Sequence, residues 1–104
     1  MRSYCELCGA YGEVHKHHVF PGPLRSVSEK WGATAMLCVE CHEGKNGVHR
    51  NRQKAEALKA KTQKRIMRAE GWSMAQWRIE FGKSYIWEWE LEEEEEPEGF
   101  FLAI

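Results

Sequence analysis

The chain has 104 residues, enough for one small domain whose limited core would gain from a bound structural metal. Its net charge of −1 hides a division: residues 1–87 carry all 15 Lys and Arg with eight Glu, whereas residues 88–104 carry eight Glu and no basic residue. This division favours a polyanionic partner for the basic part, although a solvated surface with a solubilising tail explains the same charges. No apolar run approaches the roughly 18 residues of a transmembrane helix, which excludes such a segment.

Four cysteines form two Cys-x-x-Cys pairs, Cys5 with Cys8 and Cys38 with Cys41. The residues before the first pair do not form a signal peptide, so we expect a reducing, cytoplasmic compartment in which such pairs bind metal instead of forming disulfides. Zn²⁺ prefers four tetrahedral ligands, and four thiolates therefore predict a closed structural zinc site. The long gap between the pairs predicts that an element is inserted between two cysteine turns. Gly9 is expected to relax the backbone of the first turn, after Cys8.

The inserted element reads as two strands separated by a polar loop. Residues 13–20 alternate in polarity like a strand, and residues 33–38 form an apolar run that suits a second strand. Residues 24–32 are expected to be a loop, and a short helix is predicted from residue 39. His15 has no motif partner and is expected to be an ordinary surface or packing residue.

Adjacent histidines end the first predicted strand, and a third histidine follows the last cysteine. His17 and His18 lie on opposite faces if the strand is regular, whereas a bulge or strand end would let both reach one site. Residues 4–51 thus contain a CELC pair, the His-His doublet and the sequence LCVECH, in that order.

This combination resembles the HNH, or ββα-metal, nucleases, particularly their small zinc-stapled phage and prophage members. The resemblance covers roughly half of the chain. It implies an α+β fold with a small ββα-metal core and two CxxC zinc knuckles, followed in this chain by a basic helix and a short C-terminal helix.

The resemblance also implies roles for individual histidines. In the family, a residue at the end of the first strand binds the catalytic metal, its neighbour is the general base, and the histidine after the second cysteine pair binds the metal. These positions correspond to His17, His18 and His42. His49 is the expected third ligand, because similar small phage proteins carry Gly-Val-His after the helix histidine, and Asn46 is the alternative.

One family feature is missing from this chain, the middle Asn that normally holds the loop between the strands. No Asn lies between His18 and His42. The loop must be held in another way, for which Ser26, Ser28 and Thr34 are candidates. A second alternative stays open, in which His42 binds the structural zinc in place of one cysteine.

The implied activity is metal-dependent hydrolysis of DNA phosphodiester bonds, by a phage- or prophage-encoded enzyme acting in a bacterial cytoplasm. A neutral imidazole, with an ordinary pKa near 6.5, can activate water, and one divalent ion can relieve the charge on the phosphate. That ion would be Mg²⁺, Mn²⁺, Ni²⁺ or Zn²⁺, and imidazole ligands favour the transition metals. The alternatives are a catalytically inactive zinc-stapled DNA-binding or protein-interaction module, and a zinc-ribbon adaptor that acts through its acidic tail.

Residues 51–70 are predicted to form a long helix with a narrow apolar stripe, and its other faces are basic. Such a face could contact phosphates, although a solvated surface is the plain alternative. The DNA-binding candidates, taken from this helix and from the nuclease-like segment, are Arg25, Lys30, Lys45, Arg50, Arg52 and Lys59.

The rest of the chain predicts a short helix over residues 74–81 and a strand over residues 84–91. The aromatic and apolar residues around the short helix are expected to pack inward: Trp72, Trp77, Ile79, Phe81 and Tyr85. We therefore divide the chain into a core (1–51), a helical extension that packs on it (52–87) and an acidic tail (88–104). The tail could bind a protein partner or cover the DNA-binding face, and the oligomeric state stays open.

Overall fold

The computed structural model describes residues 1–93 as a small α+β domain built around an antiparallel sheet. The sheet has three strands in the order β1-β2-β3, with β1 at Arg2–Tyr4, β2 at Tyr11–His18 and β3 at Thr34–Cys38. Along β2 and β3, His18 lies opposite Thr34 and Val14 lies opposite Cys38. This register brings the histidine end of β2 to the start of β3, and the cysteine end of β3 to the middle of β2.

Within the described part of the chain, five α-helices accompany the sheet, and a 3₁₀ turn at Gly22–Leu24 comes before the first of them. They are α1 (Arg25–Trp31), α2 (Val39–Glu43), α3 (Arg52–Glu70), α4 (Met74–Phe81) and α5 (Glu88–Glu93). No helix within residues 1–93 combines the length and the apolar character needed to cross a membrane.

The segment between β2 and β3 corrects the expectation of a polar loop, because residues 25–31 form α1. Val27, Ser28 and Trp31 in this helix, with Leu24 just before it, are partly or fully buried, and this spacing places them on one helical face. Gly32 then ends the helix in the left-handed conformation that glycine adopts without steric cost. The proline and glycines on either side suggested a loop, but they mark the ends of a helix.

Helix α4 has the predicted bounds, and α3 begins at Arg52, one residue later than predicted, because Asn51 is its N-cap. The Asn51 side chain accepts a hydrogen bond from the Lys54 amide at 3.0 Å, and the Ser73 side chain accepts one from the Gln76 amide at 3.2 Å. The apolar stripe of α3 was predicted at Ala55, Leu58, Thr62, Ile66 and Ala69. Leu58 is buried, whereas Ala69 at the far end is exposed.

One hydrophobic core joins the strand segment to the helical extension. Phe20, just after β2, packs against Trp77 at 5.5 Å and against Phe81 at 5.0 Å between ring centroids. Trp77 and Phe81 are themselves stacked at 4.0 Å. The Trp77 indole N–H donates to the Lys83 carbonyl at 2.9 Å, which satisfies the polar atom of a fully buried ring.

Two expectations for the second half are wrong. Ile79 does not pack inward but is 75% exposed, because α4 turns its other side to the core. Residues 84–91 do not form a strand: residues 88–93 belong to α5, and Trp87 and Trp89 are both exposed. The alternation of Trp with Glu resembled a strand, but Ile86 is the residue of this segment that is buried. The expected acidic tail extends to residue 104 and lies largely outside the described residues.

Candidate metal centres

The four cysteines converge on one point from two turns. The sulfurs of Cys5, Cys8, Cys38 and Cys41, here called the cysteine cluster, all lie within 4.8 Å of one another. The first pair sits in a turn closed by the Gly9 amide, which donates to the Cys5 carbonyl at 2.9 Å. Gly9 itself has φ of +80°, a conformation that suits glycine. The second pair spans the end of β3 and the start of α2.

The spacing of the sulfurs fits a tetrahedral ion. Zn–S bonds of about 2.3 Å require sulfurs about 3.8 Å apart in a regular tetrahedron. The Cys8 and Cys38 sulfurs are 3.8 Å apart, and neither pair of cysteines is joined as a disulfide. The donor set therefore suits a structural metal such as zinc.

Backbone groups prepare one of the sulfurs for the thiolate form that a metal needs. Burial opposes ionisation of Cys5, but the backbone N–H groups of Cys8, Cys38 and Leu7 donate to its sulfur and bring its pKa down to about 6. Burial and the neighbouring cysteines raise the pKa of Cys41 to about 12 in the metal-free chain. Without a cation, the cluster can therefore hold only limited negative charge, and a bound divalent ion would relieve that repulsion.

Glu6 ties the first cysteine turn to β3, a role that no sequence pattern indicated. The Glu6 amide donates to the Met36 carbonyl at 2.9 Å, and the Met36 amide donates to the Glu6 carboxylate at 2.8 Å. These two bonds hold the Cys5–Cys8 turn beside the strand that leads into Cys38.

Three histidines form a second cluster on the other side of α2. Ring nitrogens of His17, His42 and His49, here called the histidine cluster, lie within 4.8 Å of one another. The Nε2 atoms of His42 and His49 are 3.0 Å apart, a separation that would suit two ligands of one ion. Asn46 does not join this cluster: its carbonyl accepts from the Lys54 ammonium at 2.8 Å, and it lines a different cavity beside Cys8 and Cys41.

The histidine cluster is suited to bind a cation in its neutral form. Burial, together with the charges of nearby His42 and His49, lowers the pKa of His17 to about 4. Burial and His49 also lower the pKa of His42. Both imidazoles are therefore neutral near pH 7, with a lone pair available for a metal. The donor set of three imidazoles fits a divalent transition metal.

The other ring nitrogen of His42 lies in a different environment. His42 Nδ1 is buried and has no hydrogen-bond partner among the described residues, and the closest carboxylate oxygen of Glu43 is 3.7 Å away. His15, Glu43 and His42 together form another group of metal-ligating type. His15 was expected to have no partner, and its ring lies 5.9 Å from that of His42.

His18 turns away from the histidine cluster toward α1. Its Nε2 atom lies 2.6 Å from a carboxylate oxygen of Glu29, and the Lys16 ammonium lies 2.9 Å from the same oxygen. The sequence pattern did not reveal Glu29, because this contact depends on α1 being a helix. Glu29 stays ionised, since its bonds to Lys16 and to His18 lower its pKa.

One cavity nevertheless connects His18 with the histidine cluster. It is lined by Lys16, His17, His18, Pro21, Gly22, Arg25, His42 and His49. The doublet therefore reaches one site at the strand end, although its two side chains have different partners.

Among the DNA-binding candidates, Arg25 lines this cavity. Lys30 lies over the Trp31 ring and Lys59 over the Tyr85 ring, and Arg52 pairs with Glu56. Lys45 and Arg50 are exposed between α2 and α3.

Ser28 holds the segment between β2 and β3. Its hydroxyl donates to the Phe20 carbonyl at 2.9 Å, and the side chain is fully buried. Of the three candidates for holding this segment, Ser28 is the one that bridges α1 to the end of β2.

The cysteine and histidine clusters are joined covalently, since Cys41 and His42 are consecutive residues of α2. The sulfurs form one group and His42 belongs to the other, so the two sets of ligands are separate in space. Comparison of the chain with protein-family models, with curated proteins and with solved structures gave no match.

Proposed function

We propose that this protein is a metal-dependent endonuclease of the HNH type that hydrolyses DNA phosphodiester bonds. One observation carries the proposal: a single cavity contains three histidines whose ring nitrogens converge and a fourth histidine bonded to a carboxylate, separate from a four-cysteine cluster. A purely structural zinc domain needs the cysteine cluster alone. The additional histidines, which lie at the end of β2, in α2 and in the turn after α2, can supply metal ligands and a general base for phosphodiester hydrolysis.

In this proposal the cysteine cluster holds Zn²⁺ and forms two zinc knuckles around a ββα-metal core. Its role is structural, since four thiolates leave no open position for a substrate. The sheet register supports this assignment, because Val14 opposite Cys38 fixes β2 against the cysteine end of β3. The zinc would thereby hold the strand that carries the catalytic histidines.

His17, His42 and His49 would hold the second divalent ion. When bound, such an ion supplies a positive charge that neutralises the scissile phosphate and stabilises the leaving oxygen. Three imidazoles leave positions for phosphate oxygen and water. The lowered pKa of His17, about 4, favours this role because the ring does not compete for a proton at pH 7.

His18 would act as the general base, taking a proton from the attacking water. Its environment differs from that of the other histidines, because it contacts a carboxylate and not another imidazole. Arg25 lines the same cavity and would contact a phosphate beside the scissile bond. Its positive charge complements a polyanionic substrate.

The basic side of α3 would add affinity that does not depend on base sequence. Lys54, Lys61 and Arg65 are exposed on this helix. Contacts between such side chains and phosphates release counterions, so the affinity should fall steeply as salt is raised. This surface supports a nucleic-acid substrate.

A supercoiled-plasmid assay tests the proposal directly. The zinc-loaded protein is incubated with plasmid and Mg²⁺, Mn²⁺, Ni²⁺ or Zn²⁺, and the nicked product is quantified. His18→Ala should reduce nicking by about 10²-fold or more, since a general base contributes at least this much. His15→Ala is the matched control, a histidine of the same strand that lies outside the cavity, and it should retain most of the activity.

The assay also distinguishes the proposed function from the main alternative, a zinc-stapled DNA-binding module without catalysis. That alternative predicts DNA binding without nicking under any of the metals. Metal content provides a second distinction: His42→Ala should retain the zinc of the cysteine cluster and lose the second ion. Equal nicking by the native chain and by His18→Ala would assign the cleavage to another base or to a contaminant.

A further inference from the structure

The hydrogen bond between His18 and Glu29 fixes where the proton of the imidazole lies. Glu29 is ionised, and an ionised carboxylate can only accept hydrogen bonds. At 2.6 Å from the Glu29 oxygen, His18 Nε2 must therefore carry the proton. In the neutral form of the ring, Nδ1 is then the unprotonated nitrogen, and its lone pair can accept a proton.

Glu29 is itself held in place by Lys16 and by the helix that carries it. The Lys16 ammonium lies 2.9 Å from the same carboxylate oxygen that contacts His18. The residue before it, Ser28, is fully buried and bonds to the Phe20 carbonyl, which ties α1 to the chain just beyond His18. The pair is thus supported from β2 and from α1, and the imidazole ring has little freedom to rotate.

We propose that Glu29 is the positioning residue of the general base: it holds His18 in the Nε2–H tautomer and stabilises the imidazolium formed during hydrolysis. This inference rests on the proposed endonuclease function. Glu29 does not contact the substrate in this role; it acts through His18. It supplies an orienting contact in the segment where the family's middle Asn is absent.

The proton balance of the step is complete without a further group. A water molecule gives one proton to His18 Nδ1 while its oxygen forms a bond to phosphorus, and the bond from phosphorus to the leaving oxygen breaks. The imidazolium donates a hydrogen bond from its Nε2–H to the Glu29 carboxylate. The leaving oxygen takes a proton from solvent. The proton on Nδ1 returns to water after the product leaves, so one water is consumed for each bond broken.

The tautomer of His18 is measured directly by long-range ¹H–¹⁵N correlation spectra of the zinc-loaded, ¹⁵N-labelled protein at pH 7.5. We expect a single Nε2–H tautomer in the native chain and a mixture of both tautomers in Glu29→Ala. Glu13→Gln is the matched control, because Glu13 is another carboxylate that forms an ion pair from β2, with the amino terminus. A protonated Nδ1 in the native chain, or an unchanged spectrum in Glu29→Ala, overturns the inference.

Kinetics separates positioning from general destabilisation. Glu29→Ala should lower kcat by roughly 10- to 100-fold, a part of the 10²- to 10⁴-fold that a general base supplies, and leave KM for plasmid unchanged. Glu29→Gln keeps an acceptor oxygen and should lose less. The double variant His18→Ala/Glu29→Ala should be no slower than His18→Ala alone. Full kcat in Glu29→Ala, or an additive loss in the double variant, overturns the inference.

A failure of the proposed endonuclease function can be distinguished from a failure of the proposed role of Glu29. If the native chain nicks no DNA, the proposed function fails, and the spectra still establish whether Glu29 fixes the His18 tautomer. If the native chain nicks DNA and Glu29→Ala is as fast, the function stands and the role of Glu29 is refuted. Glu29 is about half exposed, so its replacement should leave the fold intact, and retained zinc content verifies this.

Discussion

Removal of the Ser28 hydroxyl should destabilise the protein through one hydrogen bond. The Ser28 Oγ atom donates to the Phe20 carbonyl at 2.9 Å in a fully buried environment. In Ser28→Ala that carbonyl keeps its burial and loses its donor. An unsatisfied buried acceptor costs about 1–3 kcal/mol. We therefore expect a loss of about 2 kcal/mol in the free energy of unfolding, which corresponds to a fall of roughly 10 °C in Tm for a domain of this size.

Ser26 provides the matched control, since it lies on the same helix and its side chain is exposed. Both substitutions raise helix propensity by the same amount, about 0.5 kcal/mol, so this gain cancels in the comparison. Urea unfolding of both variants at one fixed concentration of free zinc, followed by circular dichroism, measures the difference. If Ser28→Ala and Ser26→Ala unfold within about 0.5 kcal/mol of each other, the hydrogen bond does not hold this segment.

Three further predictions concern the metal ligands and the basic helix. Cys38→Ser should lose zinc and unfold, because structural zinc contributes about 10–16 kcal/mol, as much as a small domain's total stability; retention of the native circular dichroism spectrum after complete chelation would contradict this. When the histidine cluster holds no metal, burial of the His17 ring is the main reason that the pKa of His17 falls from 6.5 to about 4. The unfolded chain then binds a proton that the folded chain does not, so stability present above pH 6.5 should fall by about 2 kcal/mol at pH 5 through His17. Because the pKa of His42 is also lowered, His17→Gln should reduce the difference in urea unfolding between pH 7.5 and pH 5 by about this amount and not abolish it. Lys61→Gln should lower DNA affinity equally for all sequences and reduce the slope of log K against log salt by about 0.9, and an unchanged slope in fluorescence anisotropy would remove Lys61 from the DNA contact.

The parts of the fold that the sequence predicted are those with a strong local signal. The period of α3 and its Asn51 cap extend over many residues, and the Cys-x-x-Cys spacing implies convergence on one ion. The strand β1 was not predicted, because three residues are too few to show a period and its bonds are to β2. Helix α1 was not predicted because its residues are mostly polar, and its buried face is defined by packing against the rest of the fold.

The candidate site, like the fold, has some residues that the sequence predicted and others that it did not. The cysteine pairs and histidines form a motif that resembles a known family, and that resemblance is why His17, His42 and His49 could be grouped in advance. Glu29 is one of 16 acidic residues and has no motif. Its importance comes from the fold of α1, which brings it to His18, eleven residues earlier in the chain. Contacts of this kind depend on tertiary structure and leave no local pattern.

The peptide bond between Cys41 and His42 has a consequence for the order of assembly. Helix α2 has five residues, too few to be stable by itself, and Cys41 anchors it through the cysteine cluster. We expect that His42 is not held firmly relative to His17 until zinc occupies that cluster. Assembly would then be sequential, with zinc bound at the cysteine cluster before a second ion binds at the histidine cluster. Under the proposed endonuclease function, a newly synthesised chain in a zinc-poor cell would not cleave DNA, and the supply of zinc would decide when the second ion becomes effective.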